Sequence, residues 1–259
     1  MSRKKFFLPQ KIRDEAEFEA GSIIKTGNQL YNHMIKSLRM SKGDRVQLLD
    51  GEGRSAKARI KDIFREDEQL ILKLLTVKEA TGEPKTKIYI AQALGKKDKV
   101  EYVWQKGTEI GAAGFIPFSS QHTVVKLNSK KEQKRLKRWR RIIREAARQS
   151  ERGKLPELFP VRPLKDLKDK FSRFDFIMLA CAREGSNTIG DLARQDFLSS
   201  GDEILVIIGP EGGFSQEEIS LLLQEENCSD ISLGPRILRT ETAGPLITGL
   251  ILHELGEME

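Results

Sequence analysis

Apolar and polar positions alternate in the first 80 residues of the chain. The alternating stretches are residues 44–50, 55–60 and 69–75. This period of two predicts half-buried antiparallel strands. The Asp-Gly-Glu-Gly sequence at 50–53 predicts a hairpin turn between the first two strands. A helical spacing of apolar residues over 28–39 precedes them and ends just before Gly43, so this part of the chain predicts a small β-barrel with one helix.

From residue 85 onward, apolar runs alternate with stretches of helical spacing. The candidate strands are residues 87–92, 114–117, 174–180, 203–208 and 230–233. The candidate helices are residues 98–110, 130–152 and 215–226. Ser215 and Glu218 fit a capping box at the start of the last of these helices. The alternation predicts an α/β fold with a mostly parallel sheet covered on both faces. A charged, turn-forming linker at 78–84 divides the chain into predicted domains 1–77 and 78–259.

The composition of the chain is basic, with 45 Lys and Arg residues against 38 Asp and Glu residues. The 259 residues carry a formal net charge of +7, which suits a polyanionic partner. No apolar run reaches eighteen residues, and the basic N-terminus is not followed by a long apolar region, so we expect a cytoplasmic protein without a membrane partner. Cys181 and Cys228 are far apart and lack neighbours at metal-ligand spacing, which predicts two buried thiols and no metal site.

Two glycine-containing segments near the C-terminus carry the most specific chemical signal. Residues 208–214 read Ile-Gly-Pro-Glu-Gly-Gly-Phe, and residues 233–243 read Leu-Gly-Pro-Arg-Ile-Leu-Arg-Thr-Glu-Thr-Ala. Each segment follows a predicted strand, and small ligands bind at the carboxyl ends of strands in open α/β sheets. The glycines lack a Cβ atom, so their backbone can adopt positive φ and approach a flat ligand such as adenosine. The two segments therefore predict a cofactor pocket.

The paired segments resemble the SPOUT superfamily of RNA methyltransferases, and specifically the family that methylates N3 of a uridine in 16S ribosomal RNA. The resemblance covers most of residues 85–255 and includes 95–99, 105–111 and 145–152. It implies a SPOUT-type α/β domain with a trefoil knot, together with an N-terminal PUA-like RNA-binding β-barrel. It also implies S-adenosylmethionine as cofactor, 16S rRNA of the small ribosomal subunit as partner, and a homodimer as the active unit.

The same resemblance assigns roles to residues of the two loops. Those expected to bind the cofactor are Leu179, Ile208, Gly209, Glu211, Gly212, Leu233, Gly234, Leu238 and Thr242. Uridine N3 must lose a proton before it can be methylated, which requires a base or donors that stabilise the uracil anion. Arg236, Arg239 and Glu241 are the expected catalytic residues, with the two arginines favoured on the RNA side. Glu241 could either accept the N3 proton or cap the following helix, and Glu211 has the same ambiguity.

A basic amphipathic helix is predicted over residues 130–148. Four residues at helical spacing should face the core, namely Leu136, Trp139, Ile143 and Ala147. The opposite face would contact RNA phosphates or simply keep the protein in solution. Over the whole chain, the residues expected to bind RNA are Arg39, Lys96, Lys97, Arg138, Arg141, Arg148 and Arg152. For Lys96 and Lys97, a solvated charged turn is an equally good interpretation.

Two other functions are compatible with the same loops. Related knotted enzymes share the cofactor loops but methylate the ribose 2′-oxygen of RNA. A non-catalytic RNA-binding assembly factor would be a protein of another class. The apolar stretch 246–252 suits either a dimer interface or the core of the monomer, Trp104 and Trp139 are expected in the core, and the roles of His33 and His122 are open.

Overall fold

The computed structural model describes residues 4–10, 12, 17–96, 98–125, 127–181 and 187–258. The chain divides into two compact units. The N-terminal unit consists of Met1–Glu83 and Ala147–Leu155, and the C-terminal unit consists of Pro84–Ala146 and Pro156–Glu259. The predicted first domain, residues 1–77, therefore omits the later segment Ala147–Leu155, which belongs to the N-terminal unit.

The N-terminal unit is built on a five-stranded sheet. Its strands are β1 (Lys5–Phe7), β2 (Ile23–Gly27), β3 (Arg45–Leu49), β4 (Arg54–Phe64) and β5 (Gln69–Glu79). Their order is β1-β3-β4-β5-β2, with β3, β4 and β5 antiparallel and β1 parallel to β3. The three predicted strands are thus confirmed. The predicted linker begins too early, because Lys78 and Glu79 still pair with Ser55 and Arg54 in the sheet.

The predicted helix at 28–39 is present but changes its hydrogen bonding along its length. An α-helical turn, α1 (Asn28–Tyr31), continues into a π-helix (Asn32–Ser37). Arg39 follows at φ 51° and is exposed. The ring of His33 packs edge-on against Phe6, with 5.2 Å between the centroids. This contact gives His33 a packing role inside the N-terminal unit.

Arg152, which we expected to bind RNA, is instead held inside the N-terminal unit. Only 7% of its side chain is exposed, and its guanidinium lies 2.9 Å from Glu83. The same carboxylate accepts backbone hydrogen bonds from Gly153 at 2.8 Å and Lys154 at 3.0 Å. A buried arginine in such a network serves packing and loop closure, so the structure argues against the expected RNA contact.

The C-terminal unit contains a seven-stranded sheet. Its strands are β6 (Lys87–Ala93), β7 (Gly114–Ser119), β8 (Glu157–Leu158), β9 (Arg162–Pro163), β10 (Phe176–Ala180), β11 (Glu203–Ile208) and β12 (Cys228–Ile231). Their order is β12-β10-β11-β6-β7-β8, with β9 also beside β7, and every pair is parallel. The parallel sheet is confirmed. The last strand ends two residues earlier than predicted, because its partner β10 ends where Ala180 faces Ile231.

Five helices and one 3-10 helix cover the sheet in the described part of this unit. They are α2 (Lys99–Ile110), α3 (Ser129–Gln149), α4 (Ile189–Arg194), α5 (Gln216–Leu222), α6 (Thr240–Glu254) and the 3-10 helix Leu164–Arg173. The three predicted helices are confirmed, although α3 and α5 end earlier than expected. Ser215 and Glu218 exchange side-chain and backbone hydrogen bonds at the start of α5, as the capping box predicts.

Alternate residues of the strands pack into two different clusters. Along β6, Ile88 and Ile90 join one cluster, whereas Tyr89 and Ala91 join the other. Residues of α2, α3, α4 and α6 complete the first cluster, and residues of α5 and the 3-10 helix complete the second. The sheet is therefore covered on both faces. The expected core residues Trp104 and Trp139 are buried in the first cluster.

Glu257 binds the segment that leads into β6. Its carboxylate accepts hydrogen bonds from the backbone N–H of Lys85 at 2.7 Å, the backbone N–H of Thr86 at 3.0 Å and the hydroxyl of Ser200 at 2.6 Å. The hydroxyl of Thr86 is a further donor. Burial alone would raise the pKa of Glu257, but these hydrogen bonds outweigh it and lower the pKa below its ordinary value.

Replacing Glu257 with alanine should lower the free energy of unfolding at pH 7 by about 1–3 kcal/mol, because buried donors of Thr86 lose their acceptor. A group with a lowered folded pKa stabilises the protein above its unfolded pKa, about 4.3, and this contribution is lost as pH falls through the folded value. Urea unfolding at pH 7 and pH 3 should therefore show a smaller difference between the variant and the wild type at pH 3. Glu217→Ala, which removes an exposed carboxylate, is the control.

Candidate functional site

A cavity of about 600 Å³ lies where β10, β11 and β12 end. Ala180 and Cys181 reach it from β10, and Ile231 and Leu233 reach it from β12. The segment after β11 and the start of α6 complete its walls. Because parallel strands bring their carboxyl ends to one edge, two segments distant in sequence form one pocket. The predicted meeting of the two glycine-containing segments is confirmed.

The cavity includes some of the residues expected to bind a cofactor and leaves others outside its wall. Those that line it are Ile208, Gly209, Glu211, Leu233 and Leu238. Those that do not are Leu179, Gly212, Gly234 and Thr242. The side chain of Leu179 is fully buried in the second core cluster, and Thr242 is exposed on α6. Lining residues that sequence reasoning did not assign to the cofactor include Lys99, Cys181, Phe214, Thr240 and Ala243.

The first loop, which is the glycine-containing segment 208–214, depends on two of its glycines for its shape. Gly213 has φ +72°, a left-handed conformation that favours glycine. A Cβ atom on Gly209 would lie 2.9 Å from the ring of Phe214, so any larger residue would displace that ring. Nδ1 of His122 lies 3.0 Å from the carbonyl oxygen of Gly213. The sequence left the role of His122 undecided, and this contact places its ring against the loop. His122 therefore supports the loop from outside the cavity wall.

Thr240 joins the two loops to each other. Its hydroxyl donates to the carbonyl oxygen of Gly209 at 2.6 Å and accepts from Nε2 of Gln92 at 2.9 Å. Gln92 is buried at the end of β6 and has β11 as its neighbour in the sheet. The Thr240 hydroxyl thus connects the first loop, the start of α6 and the carboxyl end of strand β6.

Lys99 connects the same two loops by ion pairs with one glutamate of each loop. Its Nζ lies 3.1 Å from Oε1 of Glu211 and 3.4 Å from Oε2 of Glu241. The hydrogen bond to Glu211 raises the pKa of Lys99. Burial alone would raise the pKa of Glu211, but hydrogen bonds from its own backbone N–H and from Lys99 outweigh that effect and lower it. Lys99 and Glu211 are therefore both ionised at neutral pH.

The three expected catalytic residues differ in their surroundings. Arg236 is exposed in the second loop, and the side chain of Arg239 is 79% exposed with a guanidinium nitrogen 3.9 Å from Glu241. Glu241 is only 17% exposed and lies in the first turn of α6, where an acidic side chain complements the helix dipole. The arginines are thus accessible to a large partner, whereas Glu241 is engaged with Lys99.

The basic helix α3 has the amphipathic character that its sequence predicted. Leu136, Trp139, Ile143 and Ala147 are all buried, which confirms the predicted core face. Among the residues expected to bind RNA, Arg141 and Lys96 are exposed, whereas Arg148 is half-buried. Arg138 is exposed but pairs with Glu101 at 2.6 Å. Lys97 lies outside the described residues.

The two thiols are less buried than expected. Cys181 and Cys228 are both free and half-buried, and Cys181 lines the cavity. Burial raises the pKa of Cys228 to about 12, so it is a neutral thiol at physiological pH. Among the described residues, no three His, Cys, Asp or Glu side chains are grouped as a metal site. No helix in the described part of the chain is long and apolar enough to cross a membrane.

Comparison with protein families gives a match in both parts of the chain. Residues 82–252 match an RNA methyltransferase domain, and residues 26–75 match an RNA methyltransferase PUA domain. The first match covers the parallel sheet and the whole cavity. The fold and the site thus define the class of the protein as an α/β RNA methyltransferase with a PUA domain.

Individual relatives identify the family within this class of RNA methyltransferases. The chain is 36% identical to ribosomal RNA small subunit methyltransferase E of Bacillus subtilis over 232 residues, which is 87% of each chain. It is 34% identical to the protein of the same name from Synechocystis, over 86% of this chain and 70% of the relative. The chain therefore belongs to the ribosomal RNA small subunit methyltransferase E family. A Legionella pneumophila methyltransferase solved with S-adenosylmethionine is 28% identical, with a TM-score of 0.82 over 98% of each chain.

Proposed function

We propose that this protein transfers a methyl group from S-adenosylmethionine to N3 of a uridine in 16S ribosomal RNA. The main observation behind this proposal is the cavity at the ends of β10, β11 and β12. Loops 208–214 and 233–243, whose sequences resemble the cofactor loops of this methyltransferase family, meet there. The family membership supports an RNA methyltransferase, and the Legionella relative was solved with S-adenosylmethionine. The acceptor atom N3 is proposed from the Leu-Arg-Thr-Glu-Thr-Ala version of the second loop.

The residues of the cavity fit S-adenosylmethionine. Ile208, Ile231, Leu233 and Leu238 offer apolar surface for an adenine ring, and the glycine-containing turns leave backbone groups accessible. The volume of about 600 Å³ is in the range of cofactor pockets. When bound, the cofactor supplies an electrophilic methyl group. We propose that Leu179, Gly212, Gly234 and Thr242 contribute by backbone groups or by supporting the loops.

Arg236 and Arg239 are proposed to act on the uracil. Loss of the N3 proton leaves negative charge on the two uracil oxygens, and forked guanidinium donors stabilise such an anion. Both side chains are exposed beside the cavity, where a splayed-out nucleotide can reach them. Glu241 is held by Lys99 at 3.4 Å, so we propose that it orients Arg239 and Lys99, and that the N3 proton leaves to solvent.

The partner-binding surfaces are proposed from exposure and charge. The accessible cations of α3 and of the turn after β6 suit RNA phosphates, and Arg39 extends this role to the N-terminal unit. Leu246 and Leu250 are exposed one turn apart on α6, which supports a homodimer formed through this helix. The trefoil knot of the SPOUT fold and a cytoplasmic location stay predictions from the family resemblance.

The decisive experiment combines the protein with S-adenosylmethionine and small ribosomal subunits that lack the modification. The RNA is then digested, and methylated nucleosides are identified by mass spectrometry. We expect 3-methyluridine. A 2′-O-methyl nucleoside would contradict the acceptor assignment and keep the cofactor assignment. Failure to bind S-adenosylmethionine in calorimetry would contradict the enzymatic function and favour an RNA-binding assembly factor.

Replacing Thr240 with valine should weaken S-adenosylmethionine binding by about tenfold. The substitution keeps the shape of the side chain but removes the hydroxyl that joins Gly209 to Gln92, and a lost buried hydrogen bond is worth about 1 kcal/mol or more. Isothermal titration calorimetry measures the effect. Thr76→Val, at an exposed position of β5, is the matched control, and equal affinity in both variants would contradict the role given to Thr240.

Removing two exposed cations from α3 should weaken RNA binding uniformly across sequences. For the double variant Lys134→Ala, Arg141→Ala, we expect the slope of log affinity against log salt to become less steep by about 1.4–1.8, because each phosphate contact contributes about 0.7–0.9. Fluorescence anisotropy with a 16S rRNA fragment at several salt concentrations gives the slope. Arg194→Ala is the control, and an unchanged slope in the double variant would favour a solubilising face.

A further inference from the structure

A glutamine side chain is buried at the carboxyl end of strand β6, beside the cavity but outside its wall. Only 1% of Gln92 is exposed, and its neighbours in the sheet are Ile208 on β11 and Pro117 on β7. It lies on the same sheet face as Ile90, which belongs to the first apolar cluster. A buried amide in apolar surroundings costs free energy unless it is hydrogen-bonded. An apolar side chain would suit this position better for packing alone, so the amide of Gln92 points to another role.

The hydrogen bonds of Gln92 use only the donor side of its amide. Nε2 donates to the carbonyl oxygen of Ala93 at 3.2 Å and to the hydroxyl oxygen of Thr240 at 2.9 Å. An amide nitrogen has two hydrogens, so both are engaged. Oε1 is buried and has no hydrogen-bond partner among the described residues. The core thus keeps an unsatisfied acceptor, at a cost in stability, where the amide places its two donors.

These contacts fix the direction of the Thr240 hydroxyl. A carbonyl oxygen can only accept, so the nitrogen of the Gln92 amide, and not its oxygen, must face Ala93. Thr240 consequently accepts a hydrogen bond from Gln92, and its single hydrogen is left for the carbonyl oxygen of Gly209 at 2.6 Å. The Gly209 oxygen is also only an acceptor. The chain of hydrogen bonds therefore runs from Gln92 through Thr240 to Gly209 and cannot be reversed.

The acceptor at the end of this chain belongs to the cavity wall. Gly209 and Thr240 both line the cavity, whereas Gln92 does not. The peptide after Gly209 leads into Pro210, which has no N–H, so the Gly209 carbonyl is the only hydrogen-bonding group of that peptide. A hydrogen bond to this oxygen sets the plane of the peptide and with it the course of the first loop along the cavity.

We propose that Gln92 is a positioning residue for S-adenosylmethionine binding, and that it acts by directing the Thr240 hydroxyl toward the carbonyl oxygen of Gly209. The inference rests on the proposed function, since it takes S-adenosylmethionine as the ligand. Gln92 contacts neither the cofactor nor the RNA in this role. It holds the first loop and the start of α6 in the arrangement that forms the cavity.

The first test is a double-mutant cycle on the Kd of S-adenosylmethionine, measured by isothermal titration calorimetry. Gln92→Met keeps the length of the side chain and removes the amide. It should weaken binding about five- to tenfold, the scale of one buried hydrogen bond. Because Gln92 and Thr240 act through one chain, adding Gln92→Met to Thr240→Val should weaken binding by less than about twofold further. Gln47→Met, which removes an amide that donates to Ser55 at 3.1 Å in the N-terminal sheet, is the matched control and should leave the Kd unchanged.

A second test separates positioning from the stability of the fold. Gln92→Met removes an unsatisfied acceptor from the core, so the midpoint of urea unfolding should stay the same or rise. In the methylation of small ribosomal subunits, the KM for S-adenosylmethionine should rise about five- to tenfold while kcat stays within about twofold of wild type. Gln92→Asn retains the amide but withdraws it by one methylene, and it should lose affinity to the same extent.

Three results would overturn the inference. The first is a Kd within about twofold of wild type in Gln92→Met or in Gln92→Asn. The second is a double variant whose loss of affinity equals the product of the two single losses, because Gln92 and Thr240 would then act independently. The third is a fall in kcat and in the urea midpoint that accompanies the loss of affinity, since Gln92 would then act through the stability of the fold. Wild-type protein that does not bind S-adenosylmethionine would contradict the proposed function itself.

Discussion

Arg239→Ala should reduce the rate of methyl transfer by about 10²–10³-fold without lowering the stability of the fold. A donor aimed at charge that develops in the transition state contributes on this scale. The side chain is 79% exposed and its nearest carboxylate is 3.9 Å away, so its removal costs little free energy of unfolding. Single-turnover formation of 3-methyluridine, followed by mass spectrometry, measures the rate.

Two companion measurements make the Arg239 result interpretable. The Kd of S-adenosylmethionine should stay close to wild type, because the proposed role is toward the uracil. Arg194→Ala removes another exposed, ion-paired arginine of the same unit and should methylate at the wild-type rate. Near-normal turnover by Arg239→Ala would remove this residue from the catalytic machinery.

Trp104→Ala should lower the free energy of unfolding of the C-terminal unit by about 3–5 kcal/mol. Trp104 is fully buried on α2, and its ring lies 4.7 Å from that of Phe115 and 5.9 Å from that of Trp139. Truncation would leave a large cavity between α2, α3 and the sheet. Urea unfolding followed by circular dichroism gives the change.

Trp104→Phe separates packing from hydrogen bonding at this position. The indole Nε1 of Trp104 is buried without a hydrogen-bond partner among the described residues, so replacing it removes an unsatisfied donor. We expect this variant to lose less than half as much stability as Trp104→Ala. Gln105→Ala, on the exposed side of α2, should be close to wild type. A Trp104→Ala change below 1 kcal/mol would contradict the packing argument.

The position of the cavity was predictable because it depends on local patterns. Apolar runs followed by glycine-containing turns mark strand ends, and parallel strands bring their ends to one edge. Ile208, Gly209 and Glu211 were therefore expected at this site from sequence, and all three line the cavity. The capping box at Ser215 fixed the start of α5 for the same reason, since capping involves residues only three positions apart.

Lys99 could not be assigned from sequence because its role depends on the order of the strands. It precedes Glu211 by more than a hundred residues, and the two meet because β6 lies beside β11. Short elements were missed for another reason. Helix α4 has six residues and strands β8 and β9 have two each, which is too short for a periodic pattern. Arg152 was expected to be exposed because of its charge, whereas its side chain is 7% exposed and pairs with Glu83.

The returning segment of the N-terminal unit has a consequence for synthesis on the ribosome. Residues 147–155 supply Arg152 to Glu83, and Ala147 and Leu155 to a small apolar cluster with Phe7 and Leu49. The unit therefore cannot complete its native contacts until residue 155 has left the exit tunnel, when a large part of the second unit has already emerged. A nascent chain stalled so that residue 83 has left the tunnel but residues 147–155 have not should accordingly expose its first domain in an unfinished and protease-sensitive form.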